Sequence, residues 1–385
     1  MSTRLNTLAG HLTPSPTTAN GTSQTATFGK IGSKNASDVV IVSALRTAIT
    51  KAKKGAFKDT TPDDLLKGVL EATMARTKVP ASILGDVVVG NVQTIGAYAL
   101  PARAAEIRAG IPESVPLHTL NRQCSSGLQA IAVVASNIAS GYIDAGIGAG
   151  VESMTLGGNP GDPSSVPPMN MSAIFENNVA AQCLTPMGMT SENVAEKFGV
   201  SREKQDELAV SSHAKALKAI KEGKFKDEIV PLEVIVLDAD GNEKKVVVSQ
   251  DEGPREGTTM AVLGKMKSAF KPGGSTTAGN ASQVSDGAAA VLLMRRSEAN
   301  RLNLPIIGVF RGFKVVGCDP AIMGIGPAVA IPALLQDVGL AIKDVDVFEI
   351  NEAFASQAAY CVEKLGVPAD KLNPLGAFFP ALFRI

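Results

Sequence analysis

The chain has 385 residues, 45% hydrophobic and 4% aromatic, with 37 basic side chains against 37 acidic ones and only three histidines. That length can bury the cores of two or three domains, and the balanced charge offers nucleic acid or an anionic membrane surface no electrostatic attraction. No apolar run is read as approaching the roughly 20 residues that span a bilayer, and no secretory h-region opens the chain. Four widely spaced cysteines, Cys124, Cys183, Cys318 and Cys361, form neither a CxxC pair nor a zinc ligand set, so no metal site is expected. With 37 glycines and no tryptophan, the composition suits an α/β enzyme of a reducing compartment and excludes a disulfide-stapled or fibrous protein.

In chain order, residues 1–37 form a leader rich in Ser, Thr, Asn and Gly without sustained hydrophobic period. Leu5, Leu8 and Leu12 nevertheless recur there at helical spacing, beside Arg4 and His11. Ordered α/β sequence begins at Asp38, with a buried strand over 39–42 and an amphipathic helix over 62–75 capped by Thr61. A strand over 86–89, a helix near 101–109, a strand over 115–120 and a small-residue helix over 126–140 follow. This alternation predicts parallel sheet layers covered by helices. Residues 156–280 differ in character and read as an insertion. They hold a Pro/Gly loop, a charged helix over 201–222 with His213 on its solvated face, and a hairpin turning at Asp240-Gly241-Asn242. Alternation resumes at Gly287. Strands expected over 305–310 and 346–351 echo those over 39–42 and 86–91, as in two copies of one unit.

The most informative stretch is Leu120-Asn121-Arg122-Gln123-Cys124-Ser125-Ser126-Gly127-Leu128. A strand runs through a turn into a helix, placing Cys124 at or just before a helix N-terminus, where free N–H groups and the dipole favour a thiolate. A lone cysteine is more often a small packed hydrophobe, but the elbow and its polar flanks point to a nucleophile. His118, on the incoming strand, reads as a packed strand residue.

Residues 120–154 resemble the nucleophile signature of thiolases, in the form of the peroxisomal 3-ketoacyl-CoA thiolases. Three other segments agree in family order: residues 187–193 (MGMTSEN), residues 275–288 (STTAGNAS, then DGA) and residues 351–355 (NEAFA). Arg4-Leu5, five residues, then His11-Leu12 resembles an N-terminal peroxisomal targeting signal, an address read by an import receptor. The resemblance implies a thiolase fold, with two similar α/β halves in an αβαβα five-layer stack and an inserted loop domain. The N-terminal half would be 38–155, completed by about 281–295; 156–280 would be the CoA-binding loop domain; 296–385 would be the C-terminal half. It implies an acyltransferase of fatty acid β-oxidation that cleaves 3-ketoacyl-CoA to acetyl-CoA and a shortened acyl-CoA. Cys124 would carry the acyl group as a thioester, and Asn351 would orient a water in an oxyanion hole. Met187, Phe270, Ala278, Ser282 and Phe354 would line the coenzyme A site. Coenzyme A would be a co-substrate with no further cofactor, the assembly a homodimer, and the location the peroxisomal matrix.

The family also uses a Gly-His-Pro histidine that activates the nucleophile and a later Cys-x-Gly cysteine that shuttles a proton. The match holds through Asn373-Pro374-Leu375-Gly376, after which residues 377–385 read AFFPALFRI. The expectation is therefore a truncated second half with impaired activity, its Phe378, Phe379, Leu382 and Phe383 forming an apolar tail over a sheet edge. Cys318 and Cys361 precede Asn373 and read as small core residues. The competing readings are an acetoacetyl-CoA thiolase and an inactive thiolase-like protein that binds acyl-CoA or dimerises. A nucleotide-dependent oxidoreductase has less support, because Gly146-x-Gly148-x-Gly150 lacks the third glycine and downstream acid of a dinucleotide fingerprint.

Overall fold

The computed structural model describes residues 27–94, 98–157, 168–238 and 240–376. Arg4, Leu5, His11 and Leu12, and the apolar residues Phe378 to Phe383, lie outside the described residues.

One mixed sheet organises the first part of the chain. Strands β1 (Val39–Arg46), β2 (Thr50–Lys51), β3 (Asp86–Gly90), β4 (Leu117–Leu120) and β5 (Ala145–Ser153) alternate with helices α1 (Pro62–Thr77), α2 (Ala99–Arg108) and α3 (Ser126–Ser140). Strand β8 (Ser285–Arg295) returns from far along the chain and inserts between β5 and β1, antiparallel to both. The order is β4-β3-β5-β8-β1-β9, where β9 is Gly308–Val309 and β2 pairs with β8. Strands β3, β4 and β5 are parallel, as the strand–helix alternation predicts.

Period-two alternation divides the core between the sheet faces. Val87, Val89, Ile147 and Leu292 pack with Leu65, Leu66 and Val69 of α1. Val88, Val291 and Leu293 pack with Ala130, Ile131 and Val134 of α3. Helix α3 matches its sequence expectation to the residue and stops at Gly141, whose φ of 81° is left-handed. The glycines of β5 serve this packing. A Cβ on Gly148 would lie 2.6 Å from Ile131 Cα, so Gly146-x-Gly148-x-Gly150 admits a helix against the sheet and makes no phosphate loop.

The inserted region holds short helices α4 (Met171–Phe175) and α5 (Asn178–Gln182), then α6 (Met187–Phe198) and α7 (Arg202–Lys221). The hairpin β6 (Leu232–Leu237) and β7 (Glu243–Val248) follows, turning through Gly241 at φ 82° as expected, and then α8 (Met260–Leu263). A buried ion pair fastens this region to β1. Arg46 donates to both carboxylate oxygens of Asp251 (2.6 and 2.9 Å) and to Glu228 (2.7 Å), while Asp251 also accepts the Ile49 N–H at 2.9 Å.

Past β8 come α9 (Arg296–Arg301), a 3-10 turn (Pro320–Ile325), α10 (Gly326–Val338) and α11 (Ala355–Leu365). Four sequence expectations need correction here. The strand over 305–310 shrinks to Gly308–Val309 and pairs with β1, at the edge of the first sheet. The strand over 346–351 is a single bridge, Phe348 to Leu372, because those are the backbone partners it finds among the described residues. Cys318 is exposed in irregular chain, whereas Cys361 is buried as expected. Finally, Pro320–Val338 has the length and apolarity to cross a membrane, which the sequence reading denied for every run; it is interrupted at Ile322, whose φ of −131° is non-helical.

Removing one partner of a buried ion pair leaves the other charge uncompensated. Asp251→Ala should therefore lower the unfolding free energy by about 3–5 kcal/mol in urea denaturation. Lys245→Ala, which removes the exposed Lys245–Glu233 pair of the hairpin, should leave the same curve in place.

Candidate active site

Cys124 stands on a sharp elbow between β4 and α3. Gln123 adopts a left-handed φ of 49°, unusual for a residue with a side chain, and turns the chain from strand to helix. Three polar contacts hold that turn. Ser126, fully buried, donates to the Gln123 carbonyl (2.6 Å) and accepts the Arg122 N–H (2.9 Å), while Asn121 accepts the Gln123 N–H at 2.8 Å. Gly90 completes the arrangement, since a Cβ there would collide with the Ser126–Gly127 backbone at the start of α3.

Cys124 itself is exposed, yet protein crowds its sulfur. Desolvation raises its pKa above the ordinary thiol value, its own backbone N–H works against the rise, and the Glu152 carboxylate adds to it. The helix-terminus argument predicted the opposite sign; at this elbow desolvation outweighs the N–H donors. Of the two described histidines, His118 is exposed at the surface of β4, where its Nδ1 lies 3.3 Å from Asp86, and is not the packed residue expected from sequence. His213 is buried rather than solvated, and its Nδ1 accepts the Arg255 N–H at 3.3 Å. Burial first, then Arg255, depress the His213 pKa.

Behind the nucleophile lies a carboxylate that sequence reasoning passed over. Glu152, 5% exposed at the end of β5, accepts the N–H groups of Val92 (3.0 Å) and Gln93 (3.3 Å). Burial, opposed by those hydrogen bonds and assisted by Asp286, pushes its pKa up to about 7. The only sequence signal was an acid closing an otherwise apolar and small-residue strand.

The coenzyme A candidates assemble separately. Met187 opens α6, and the Phe270 ring covers Gly188 so closely that a Cβ there would overlap it. Phe270 and Phe354 meet edge to face, centroids 6.1 Å apart. Ser282 donates its N–H to Ala353 (2.9 Å), and Ala281 bridges Phe354, so residues 276–282 are laid along the Asn351–Phe354 loop. Met187, Phe270 and Ala278 keep exposed surface beside it. Asn351 carries a buried Oδ1 with no hydrogen-bond partner among the described residues.

Two residues omitted from the expected site hold this cluster. Glu192, buried in α6, accepts from the N–H groups of Ser275 (2.9 Å) and Thr276 (2.8 Å). Asn373 accepts the Ile350 N–H (2.8 Å) and donates to the Ile350 carbonyl (3.0 Å) and Glu352 (2.6 Å), bracing the segment just before Asn351. No described hydrogen bond or ring contact joins Cys124 directly to the cluster. Sheet register brings the two to one end: Ser153 of β5 faces Asp286 of β8, and Met154 donates its N–H to Ser285 at 3.3 Å. The C-terminal ends of β3, β4 and β5 thus meet the start of β8, with Cys124 on one side and residues 276–282 on the other. Among the described residues no group of acidic, Cys and His side chains could hold a metal ion.

Comparison with known proteins follows this geometry. The profile described as "Thiolase, N-terminal domain" matches residues 39–297, and "Thiolase, C-terminal domain" matches 304–379. The chain is 56% identical over 375 residues to the mouse (Mus musculus) protein named 3-ketoacyl-CoA thiolase A, peroxisomal, covering 97% of this chain and 87% of the relative. It is 56% identical over 344 residues to the human (Homo sapiens) 3-ketoacyl-CoA thiolase, peroxisomal, covering 89% of this chain and 80% of the relative. The crystal structure of the dimeric peroxisomal thiolase of Saccharomyces cerevisiae superposes with a TM-score of 0.83 at 47% identity, covering 91% of this chain and 87% of that one. A second structure of the yeast enzyme, described as five-layered and built from two core domains of identical topology, gives 0.74 at 42% identity, covering 91% of this chain and 88% of that one.

The raised Glu152 pKa links stability to pH with a definite sign. Between the ordinary carboxyl value of 4.5 and about 7, the folded chain holds a proton that the unfolded chain releases. Glu152 therefore contributes a fall in unfolding free energy as pH rises through that window. His213, depressed below 6.5, contributes the opposite slope, so the test is a difference. From pH 5 to pH 8, wild type should lose more urea resistance than Glu152→Gln; equal slopes would contradict the assignment.

Proposed function

The chain belongs to the thiolase family of acyltransferase enzymes, and on that premise we propose that it cleaves 3-ketoacyl-CoA with coenzyme A to give acetyl-CoA and an acyl-CoA two carbons shorter. The observation that carries this reading is the Cys124 elbow, set at the same sheet end as the 276–282 loop and Asn351.

Cys124 Sγ attacks the keto carbon as its proton passes to a base. The bond between that carbon and the α carbon breaks, and the released enolate takes up a proton to become acetyl-CoA. The acyl group stays on Cys124 as a thioester. The thiol of coenzyme A then attacks the thioester carbonyl, gives up its proton and returns Cys124 as the leaving group. Sulfur suits both halves of the cycle because thiolate is a strong nucleophile and a good leaving group. The surroundings of Cys124 keep its thiol protonated at rest, so removal of that proton belongs to the attack itself.

Asn351 is the candidate for orienting a water toward the thioester oxygen, and its unpartnered Oδ1 supports that role. The Cys124 backbone N–H is the candidate donor for a second oxyanion hole; such donors are worth about 10²–10³ in rate. Met187, Phe270, Ala278, Ser282 and Phe354 are the candidate coenzyme A contacts, supported by the edge contact of the two phenylalanines and by the exposure of Met187, Phe270 and Ala278. Residues 156–280 would form the coenzyme A loop domain. The names of the mouse and human relatives support a peroxisomal location, with Arg4, Leu5, His11 and Leu12 as the segment read by an import receptor. The dimeric yeast enzyme supports a homodimer.

Thiolysis is tested by following consumption of 3-ketoacyl-CoA and release of acetyl-CoA over a series of acyl chain lengths. Wild type should turn over medium and long chains, and Cys124→Ala should fall to background. Turnover confined to acetoacetyl-CoA would favour the narrower acetoacetyl-CoA specificity. No turnover at any length, with coenzyme A esters still blocking alkylation of Cys124, would replace the enzyme reading by a binding one.

A further inference from the structure

Glu152 does not contact the nucleophile elbow directly, yet an unbroken series of hydrogen bonds leads from one to the other. Its carboxylate accepts the N–H groups of Val92 (3.0 Å) and Gln93 (3.3 Å), and the Asn91 amide approaches at 3.4 Å. Asn91 ties the same loop to the neighbouring strands: its side chain donates to the Val151 carbonyl (2.8 Å), and its backbone N–H donates to the Leu120 carbonyl at 3.1 Å. The loop carbonyl of Val92 in turn accepts from the Asn121 side-chain amide at 3.1 Å. The other end of that amide accepts the Gln123 N–H at 2.8 Å. Gln123 is the left-handed residue on which the chain turns to present Cys124.

We propose that Glu152 is a positioning residue for Cys124, its buried carboxylate fixing the 91–93 loop, and through Asn121 the strained Gln123, so that the elbow keeps the nucleophile facing the site. Three facts support this. A buried carboxylate is costly unless its hydrogen bonds are satisfied, so its retention calls for a function beyond packing, where an apolar residue would serve. A side-chain residue at φ 49° persists only where its surroundings over-determine it, and the Asn121 and Ser126 contacts are those constraints. Glu152 also senses the thiol electrostatically, as one of the causes that raise the Cys124 pKa. The ionisable groups around it are Asp286 on β8, Tyr98 at the start of α2 and Cys124 itself, so Glu152 faces no cation among them.

The inference rests on the reading of Cys124 as nucleophile, but its test does not use turnover. Hydrogen exchange at pH 8 is followed in peptides covering 91–94 and 120–126, together with the pH profile of Cys124 alkylation by iodoacetamide, read by peptide mass so that exposed Cys183 and Cys318 do not interfere. Glu152→Gln should raise exchange about tenfold in both segments, because the loop N–H groups share one Glu152 oxygen whose charge the amide removes, and the amide nitrogen sets a second donor against the Asn91 side-chain donor. It should also move the alkylation midpoint downward, because a negative charge near the sulfur is gone. Asn121→Ala, at an exposed position that tolerates truncation, should raise exchange in 120–126 and leave the midpoint in place. The proposal is overturned if the Glu152→Gln exchange change stays within 91–94, if its alkylation profile superimposes on wild type, or if Asn121→Ala leaves 120–126 unchanged. Should Glu152→Gln fail to fold, the Asn121→Ala exchange decides alone. A failed thiolysis assay with both outcomes as expected would sink the enzyme reading and leave the positioning role standing.

Discussion

The closeness of α3 to the sheet is the constraint from which the site follows. A helix packed on a sheet is normally held off by the side chains of both. Here Gly148 and Gly90 remove those side chains where Ile131 and Ser126 approach, so the helix backbone rests on the strands. Its first turn cannot then shift without colliding with β3. The chain must leave β4 and enter this fixed helix within a few residues, which forces the left-handed turn at Gln123 and puts Cys124 at the rim. Van der Waals exclusion, more than any polar interaction, decides where Cys124 stands. The hydrogen bonds of Asn121 and Ser126 then select one conformation within that limit.

The other side of the site is held by different physics. Residues 275–282 have little regular structure, and their backbone groups are satisfied by buried side chains instead of a ladder. Glu192 takes two N–H groups, while Asn280 takes the Thr277 N–H at 2.7 Å and gives its own amide to Asp206 at 2.9 Å. A hydroxyl relay from Thr276 through Ser191 to Ser356 (2.8 and 2.7 Å) ties the loop to α6 and α11. Such a loop is irregular and still rigid, because losing one of these buried hydrogen bonds would strand its partner in a water-poor interior. This explains how a segment without strand or helix can offer Ala278 and Ser282 at defined positions.

The sequence made the elbow and the first strands and helices legible because each is local, whereas β8 reaches their sheet from far along the chain. The helix over 126–140 announced itself by small and apolar residues at helical spacing and by Gly141, and the strands over 39–42 and 86–89 by β-branched runs. The candidate site was legible as motifs, through the thiolase resemblance, more than as contacts. What escaped depended on partners distant in sequence. His213 sits on a helix whose composition reads as solvated, and it is buried where the distant Arg255 N–H meets its ring. Glu152 closes a buried strand, and the N–H groups that donate to it, those of Val92 and Gln93, lie on a loop far earlier in the chain. The run at 346–351 has strand composition, but a strand exists only where a neighbour supplies hydrogen bonds, and among the described residues the Phe348 backbone pairs with Lys371 and Asn373 in a single bridge.

The electrostatics of Cys124 run against the usual device of a low-pKa thiolate at a helix start. Protein crowding and Glu152 both favour the neutral thiol, and neither described histidine is free for it: His118 answers to Asp86 and His213 to the Arg255 backbone. A neutral resting thiol reacts slowly with oxidants and stray electrophiles, which attack the thiolate. In the proposed reaction it would leave readily only once an oxyanion hole and a proton donor share the charge, so such chemistry would depend on groups assembled around bound substrate. The elbow fixes where Sγ stands, and burial with the Glu152 carboxylate disfavours negative charge there. Gly148 and Gln123 set the geometry and the surrounding protein disfavours the charge, while Glu152 bears on both, through the 91–93 loop and through its effect on the Cys124 thiol.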